Sequence, residues 1–291
     1  MRYALSIPNF GPFQQVRFVA EIARDAEEAG WDGVFVWDHL LGWNGNEVAD
    51  PWAVLTAVAL ATQRVRLGPM VTPLPRRRPW QVVRQVVTLD HLSGGRAVLG
   101  VGLGFPPHEE FGVFGESEDA ATRAGILDEG LDIVTGLQTG AAFTHDGAHF
   151  QLQDVLFAPR PVQRPRVPIW VAGSWPHRAP FRRAARWDGV VPIMAGEQML
   201  PTVEDMRAIV AYTLEHRSTD APFDAVYTGF MPNDVAEARG QADELASFGV
   251  TWWQVSPAWP EESVEAFRDQ VRAGPPRGDD RAPDATAARM T

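Results

Sequence analysis

The chain has 291 residues and a formal net charge of −11, from 26 basic against 37 acidic side chains. That length suits one α/β barrel or two ordinary domains, and the acidic balance argues against nucleic acid or an anionic membrane as a partner. There is no cysteine, which excludes disulfides, thiolate metal sites and cysteine nucleophiles. With no basic-plus-apolar leader before Tyr3 and no apolar run long enough to span a bilayer, a cytoplasmic protein is expected.

Residues 3–7 are apolar and predict a first strand, closed by the loop Pro8-Asn9-Phe10-Gly11-Pro12. Val16, Val19, Ala20, Ala23 and Ala26 recur at helical spacing and predict a helix over 14–29, stopped by Gly30. Residues 33–37 form an unbroken apolar run, as in a parallel strand covered on both faces, and the run stops at Asp38-His39. Asp50-Pro51 supplies an N-cap and a proline at the first helical position for a helix to residue 61. That helix is apolar on most sides, so a further buried contact, with a second subunit, is expected.

Residues 65–72 predict strand three, 73–79 a loop holding Arg76-Arg77-Arg78, 80–92 a helix ended by Ser93-Gly94-Gly95, and 97–101 strand four running into Gly102-Leu103-Gly104. After a helix over 122–137, residues 143–158 read as a hairpin-like insertion interrupted by Asp146-Gly147, and 159–168 are extended and proline-rich. Strand five, 169–172, ends in Gly173-Ser174-Trp175-Pro176. Then come a helix over 177–186, a strand over 189–193, a helix opened by Thr202-Val203-Glu204-Asp205 and ending near 216, a strand over 225–230, a helix over 234–248, a strand over 251–255 and a helix over 261–272.

Eight strand-then-helix units in sequence need a parallel sheet, and eight units closing on themselves make a single (β/α)8 barrel over 1–273. A doubly wound open sheet is the competing arrangement. From Gly274 the composition turns to Gly, Pro, Asp and Ala, so 274–291 is expected to be a disordered tail.

In a barrel the strand ends form the catalytic face. Here they gather Asn9, Asp38, His39, Trp43, Thr72, Gly102, Gly104, Gly173, Ser174, Met194, Thr228 and Ser256. This set is uncharged and glycine-rich apart from one carboxylate and one imidazole, and no His-x-His marks strand one, so no metal site is expected. Histidine can donate or accept a proton at working pH; the competing reading is that Asp38 caps a turn and His39 is a satisfied buried ring. Gly173-Ser174 before a helix suits an anion, or closes a tight turn. Trp37, Trp43, Trp175, Trp253 and Trp259 fall near the same rim, which suits a planar ligand.

Four stretches, in order, resemble one family. They are Ala29-Gly30-Trp31-Asp32 leading to Trp37-Asp38-His39; Leu89-Asp90-His91-Leu92-Ser93-Gly94-Gly95-Arg96 leading to Leu99-Gly100-Val101-Gly102; Glu110-Phe111-Gly112-Val113-Phe114-Gly115; and Pro161-Val162-Gln163 leading to Pro168 and Ile169 through Ser174. The chain resembles the luciferase-like class of flavin-dependent oxidoreductases, the bacterial-luciferase superfamily that includes coenzyme F420 enzymes. The resemblance implies a barrel with an insertion at 141–168, and a flavin or deazaflavin on its C-terminal face with the phosphate near Gly173 and Ser174. It also implies a non-proline cis peptide near Val71-Thr72, and, by the deazaflavin branch, a ring beside Asp38 and His39 with Trp43 four positions on. Phe105 stands where sugar-phosphate-oxidising members carry a glutamate, which argues against that substrate, and Ala172 replaces the first of a usual glycine pair.

The resulting expectation is a redox enzyme working through F420 by hydride transfer, or through reduced FMN and oxygen as a monooxygenase with a flavin reductase as partner. A metal-dependent hydrolase or a non-catalytic cofactor-binding barrel is the reading from another class. His39 is the expected proton donor or acceptor, oriented by Asp38; Asn9, Trp43, Val71, Thr72, Gly102, Gly104, Gly173, Ser174 and Trp175 are the expected cofactor contacts. The expected substrate is a small neutral or apolar organic molecule, and a homodimer through residues 51–61 is expected.

Overall fold

A computed structural model describes residues 1–42, 45–196, 198–258 and 263–277. Its main sheet is parallel and runs β3-β2-β1-β11-β10-β9-β8-β5-β4. The strands are β1 (Arg2–Ile7), β2 (Gly33–Val36), β3 (Arg66–Pro69), β4 (Thr72–Pro73), β5 (Leu99–Gly102), β8 (Ile169–Trp175), β9 (Gly189–Met194), β10 (Asp224–Thr228) and β11 (Trp252–Val255). Here β3 and β4 are two halves of one barrel position, parted at a cis Met70–Val71 peptide, so the strand expected over 65–72 is broken and the cis bond falls one residue earlier than expected. Leu67 bridges to Ala97 and Thr72 pairs with Val101, which closes eight positions into a barrel. The antiparallel pair β6 (Phe143–Asp146) and β7 (Gln151–Val155) is the hairpin of the insertion.

Helices α1 (Val16–Glu28), α2 (Pro51–Ala61), α3 (Pro79–Ser93), α5 (Ala120–Gln138), α6 (Arg178–Ala184), α7 (Val203–Glu215), α8 (Val235–Ser247) and α9 (Val264–Ala273) surround the barrel, with a short α4 (Pro107–Glu110) after β5. The starts are chemically marked. Asp50, Asp119, Asp234 and Ser263 each accept from a backbone amide of the first turn, and Thr202 with Asp205 forms a reciprocal capping box. Residues 274–277, expected to begin a disordered tail, instead return to the barrel base: Arg277 pairs with Asp32, and its guanidinium lies 6.0 Å from the Tyr3 ring. The rest of that expectation falls on 278–291, outside the described residues.

Alternation along the strands sorts side chains into an outward set that meets the helices and an inward set that fills the barrel. In the lower half the inward set is an aromatic plug, with Phe35, Trp170 and Trp252 at ring-centre distances of 5.3, 5.9 and 5.4 Å. Glycine neighbours make room for it. A Cβ on Gly189 would stand 2.5 Å from Trp170 Cδ1, and one on Gly33 would stand 3.1 Å from Trp252 Cζ3. Above the plug the inward residues Ser6, Gly102, Ala172, Ser174 and Thr228, together with Trp37, line the mouth at the C-terminal end.

Two of the family-like stretches meet at the opposite end. Asp90 accepts from the Gln163 backbone amide at 3.0 Å and side chain at 2.7 Å. Buried Arg96 gives its guanidinium protons to Ser93, Thr62, Val65 and Ala59 at 2.7 to 3.0 Å, tying the end of α2 to the start of β5. These residues hold the scaffold. Gly189→Val is expected to lower stability by about 1–3 kcal/mol through overpacking against Trp170, read as a reduced thermal midpoint with altered near-UV dichroism from the plug.

Candidate active site

The mouth is built around the end of β2. Trp37 points inward and donates from Nε1 to Ser6 Oγ at 2.9 Å. Asp38 is buried and accepts from Arg76 at 2.6 Å, from Arg77 at 2.8 and 3.1 Å, and from the Thr72 hydroxyl. With its oxygens occupied this way, Asp38 is not what orients His39. That role falls to Glu110 of α4, whose Oε1 lies 2.8 Å from His39 Nδ1 and whose other oxygen pairs with Arg76.

Asp38, Glu110, Arg76 and Arg77 are two negative and two positive charges in one cluster, with side-chain exposures of 1, 1, 5 and 18%. A buried ion cluster persists only when its charges balance and its hydrogen bonds are made. This one balances with His39 neutral. Burial, with the Arg76 charge, pushes the His39 pKa down to about 4, against the opposing pull of Asp38. A carboxylate can only accept, so Glu110 assigns the proton to Nδ1 and leaves Nε2 as the basic nitrogen. The ring is also held edge-on by Phe10 at 5.8 Å and Trp37 at 5.9 Å.

The other expected contacts divide. Ser174 lies on the inward face, Val71 is partly exposed, and the Thr72 hydroxyl donates to Asp38. Gly102 is inward but serves the protein: a Cβ there would stand 2.8 Å from Val71 Cγ2, so the glycine admits Val71 rather than a ring. Gly104, at φ +86°, likewise makes way for Phe111 and Pro73. Asn9 is fully buried, and its amide binds the His39 and Ala49 carbonyls at 2.9 and 2.8 Å, so it fixes the loop instead of touching a ligand.

Gly173 and Trp175 face outward, opposite to expectation, because they fall on the other parity from Ala172 and Ser174. A Cβ on Gly173 would stand 2.5 Å from Pro180 of α6, and Trp175 packs on Phe181 at 5.2 Å with Arg178 over its ring at 3.8 Å. Trp253 is also outward, donating to the Gly229 carbonyl at 3.1 Å. Of the rim tryptophans, Trp37 alone among the described residues lines the mouth; Trp43 and Trp259 lie outside the described residues.

Glu110, Arg76 and Arg77 are the site residues that strand-end reasoning missed. The signals were present, as three consecutive arginines in the loop after strand three and a glutamate inside a family-like stretch. Arg76→Met is expected to cost about 3–5 kcal/mol at pH 7 by leaving buried carboxylates underpaired. Urea denaturation of the wild type and the variant at pH 7 would read the loss.

The luciferase-like monooxygenase family model matches residues 2–286. An F420-dependent glucose-6-phosphate dehydrogenase of Microbacterium testaceum is 33% identical over 214 residues, covering 70% of this chain and 61% of that protein. The 4-hydroxyprotoasukamycin monooxygenase of Streptomyces nodosus is 31% identical over 193 residues, covering 65% and 50%. The chain thus spans about half to three-fifths of the length of these curated relatives. The crystal structure of a monooxygenase from Streptomyces bottropensis superposes with a TM-score of 0.75 at 22% identity, covering 94% of this chain and 97% of that one, which supports the fold. With a family match over nearly its whole length and the barrel in place, the chain belongs to the luciferase-like monooxygenase family.

Proposed function

We propose that this chain is an oxidoreductase that takes coenzyme F420 or FMN into the barrel mouth and manages a proton through His39 while a small uncharged organic substrate is oxidised or reduced. The observation that carries the reading is the buried imidazole at the end of β2, held through Nδ1 by Glu110 at 2.8 Å. The F420-dependent relatives support F420 with direct hydride transfer; the monooxygenase relative supports the second reading, reduced FMN with oxygen and a flavin reductase as partner.

The residues fit such a group in part. Ser6, Trp37, Val71, Ala172, Ser174 and Thr228 form an uncharged mouth of mixed apolar and hydroxyl character, as a neutral heteroaromatic ring needs. When bound, the cofactor supplies the electrons, as a hydride or through oxygen activation. The chain supplies the rest: Trp37 and Val71 wall the ring's place, Ser174 and Thr228 offer hydroxyls, and His39 Nε2 takes or returns the proton. Asp38 with Arg76 and Arg77 fixes the strand end that carries the imidazole.

All 26 basic residues are arginine, and among the described residues at the mouth Arg76 and Arg77 are paired with Asp38 and Glu110. The exposed rim is apolar at Leu40, Leu41 and Phe105. That apolar rim favours a small uncharged organic substrate over the sugar phosphate in the names of the relatives. For metal hydrolysis, no group of three or more His, Cys, Asp or Glu side chains that could hold an ion is gathered among the described residues. No described helix is long and apolar enough to cross a membrane. A cytoplasmic homodimer remains our reading, the dimer formed through the outward face of α2 at Ala53, Ala57 and Leu60, which is 66% exposed.

Titration of intrinsic tryptophan fluorescence with F420, and separately with oxidised and reduced FMN, is expected to show saturable quenching by one of them. F420 alone selects hydride transfer, FMN selects the monooxygenase, and binding of neither contradicts the proposal. His39→Ala should abolish turnover with cofactor affinity within a few-fold of wild type; equal loss of both would make His39 a binding residue. Because the basic form of His39 prevails above its pKa of about 4, kcat/KM should be level from neutral pH upward and fall as pH drops toward 4.

A further inference from the structure

Residues 103–119 carry the chain from β5 to α5, and only two of them are buried. Glu110 and Phe111 are each 1% exposed, whereas Phe105, Val113 and Phe114 face solvent. Glu110 reaches the His39 and Arg76 side chains. Phe111, its neighbour, is the anchor. The ring enters a slot that exists because Gly104 has no side chain: a Cβ there would stand 2.7 Å from Phe111 Cε2 and 2.9 Å from Pro73 Cβ. The Phe111 carbonyl accepts from the amides of Phe114 and Glu116 at 3.0 Å, so the rest of the segment folds around it.

Arg123, in the first turn of α5, covers this anchor. Its guanidinium carbon lies 4.8 Å from the centre of the Phe111 ring. From the same group Nη1 donates to the Leu103 and Gly104 carbonyls at 3.0 Å, and Nη2 donates to the Glu118 carbonyl at 3.2 Å. One side chain thus joins the two ends of the segment and holds down the residue next to Glu110. Arg123 is buried, its acceptors among the described residues are neutral carbonyls, and its Nε has no partner. A buried cation without a carboxylate is costly, and leucine or methionine would cover a phenyl ring with no such penalty. An apolar residue cannot gather three carbonyls from two separate stretches; the rigid fork of a guanidinium can.

We propose that Arg123 is a positioning residue for the imidazole: by covering Phe111 and tying Leu103 and Gly104 to Glu118, it fixes Glu110 at hydrogen-bond distance from His39. The effect passes through the Phe111 ring and the peptide bond to Glu110. Dependence of the Glu110 position on Arg123 follows from these contacts; its consequence for turnover rests on the reading of His39 as the residue that manages the proton.

The test is made on His39. Nitrogen-15 shifts of the labelled imidazole at pH 7 report which ring nitrogen carries the proton, and hydrogen exchange reports on the Phe114 and Glu116 amides. Both are measured on the full chain without cofactor, for the wild type, Arg123→Met, Arg123→Lys, Phe111→Leu and Leu131→Ala. Leu131 is a core residue of the same helix, and its truncation supplies the loss of stability that a merely structural residue would give. The wild type should be mainly Nδ1–H. Arg123→Met and Phe111→Leu should each shift the imidazole until Nδ1–H is no longer the major form, and should speed exchange of both amides by about tenfold or more. Arg123→Lys, which keeps the charge but not the fork, should fall between. Leu131→Ala should lower the thermal midpoint and leave the His39 shifts unchanged.

Wild-type His39 shifts in a folded Arg123→Met protein would overturn the proposal, as would an equal change in Leu131→Ala or a wild type that is mainly Nε2–H. If Arg123→Met does not fold, Arg123→Lys and Phe111→Leu decide by the same criterion. Titration of the wild type with F420 and FMN separates this proposal from the proposed function. Shifts that depend on Arg123 in a protein that binds neither cofactor would uphold the positioning role and refute the oxidoreductase reading alone. Cofactor binding with shifts indifferent to Arg123 would refute the positioning role alone.

Discussion

Two carboxylates withdrawn from water govern the mouth of this barrel. Asp38 ends β2 and Glu110 ends α4, and each would be strongly disfavoured by burial without a cation. Arg76 spans the two, with Arg77 completing the shell of Asp38. Because these partners arise from three separate segments, the end of β2, the turn after β4 and the helix after β5 are locked to one another. His39 is carried within that lock. Its neutrality follows from the same cause, since the four surrounding charges already cancel and burial disfavours a fifth. Stability and chemistry are therefore linked: the depressed imidazole pKa contributes stability that is present above the ordinary value near 6.5 and is lost as pH falls through about 4.

The two ends of the barrel divide the work. At the base, Arg96, Asp90 with Gln163, and Arg277 with Asp32 satisfy buried or half-buried charge with backbone groups and partner side chains, while Phe35, Trp170 and Trp252 fill the lower interior. Toward the mouth small and hydroxylic side chains stand on the inward faces beside Trp37. Rigid packing below suits a ligand site at the strand ends of a parallel barrel.

The alternation of strands and helices was legible because long apolar runs and capping residues at Asp50 and Thr202 are local signals. What sequence could not supply was parity at the strand ends. Gly173 and Trp175 flank Ser174, yet one residue of offset turns both of them to the helices and Ser174 to the mouth. Asn9 reads as a strand-end ligand, but its amide is taken by carbonyls 30 and 40 residues away. The pairing of His39 with Glu110 joins residues 71 apart, and only the closed barrel brings them together. Adjacency in sequence favoured Asp38 for that role; contact favoured Glu110.

The central claim is that the imidazole is neutral, with its proton on Nδ1 toward Glu110. Nitrogen-15 chemical shifts of labelled His39, followed as a function of pH, test it most directly. The account predicts the Nδ1–H tautomer at pH 7 and a titration midpoint near 4. A midpoint near the ordinary 6.5, or an Nε2–H tautomer at neutral pH, would contradict it.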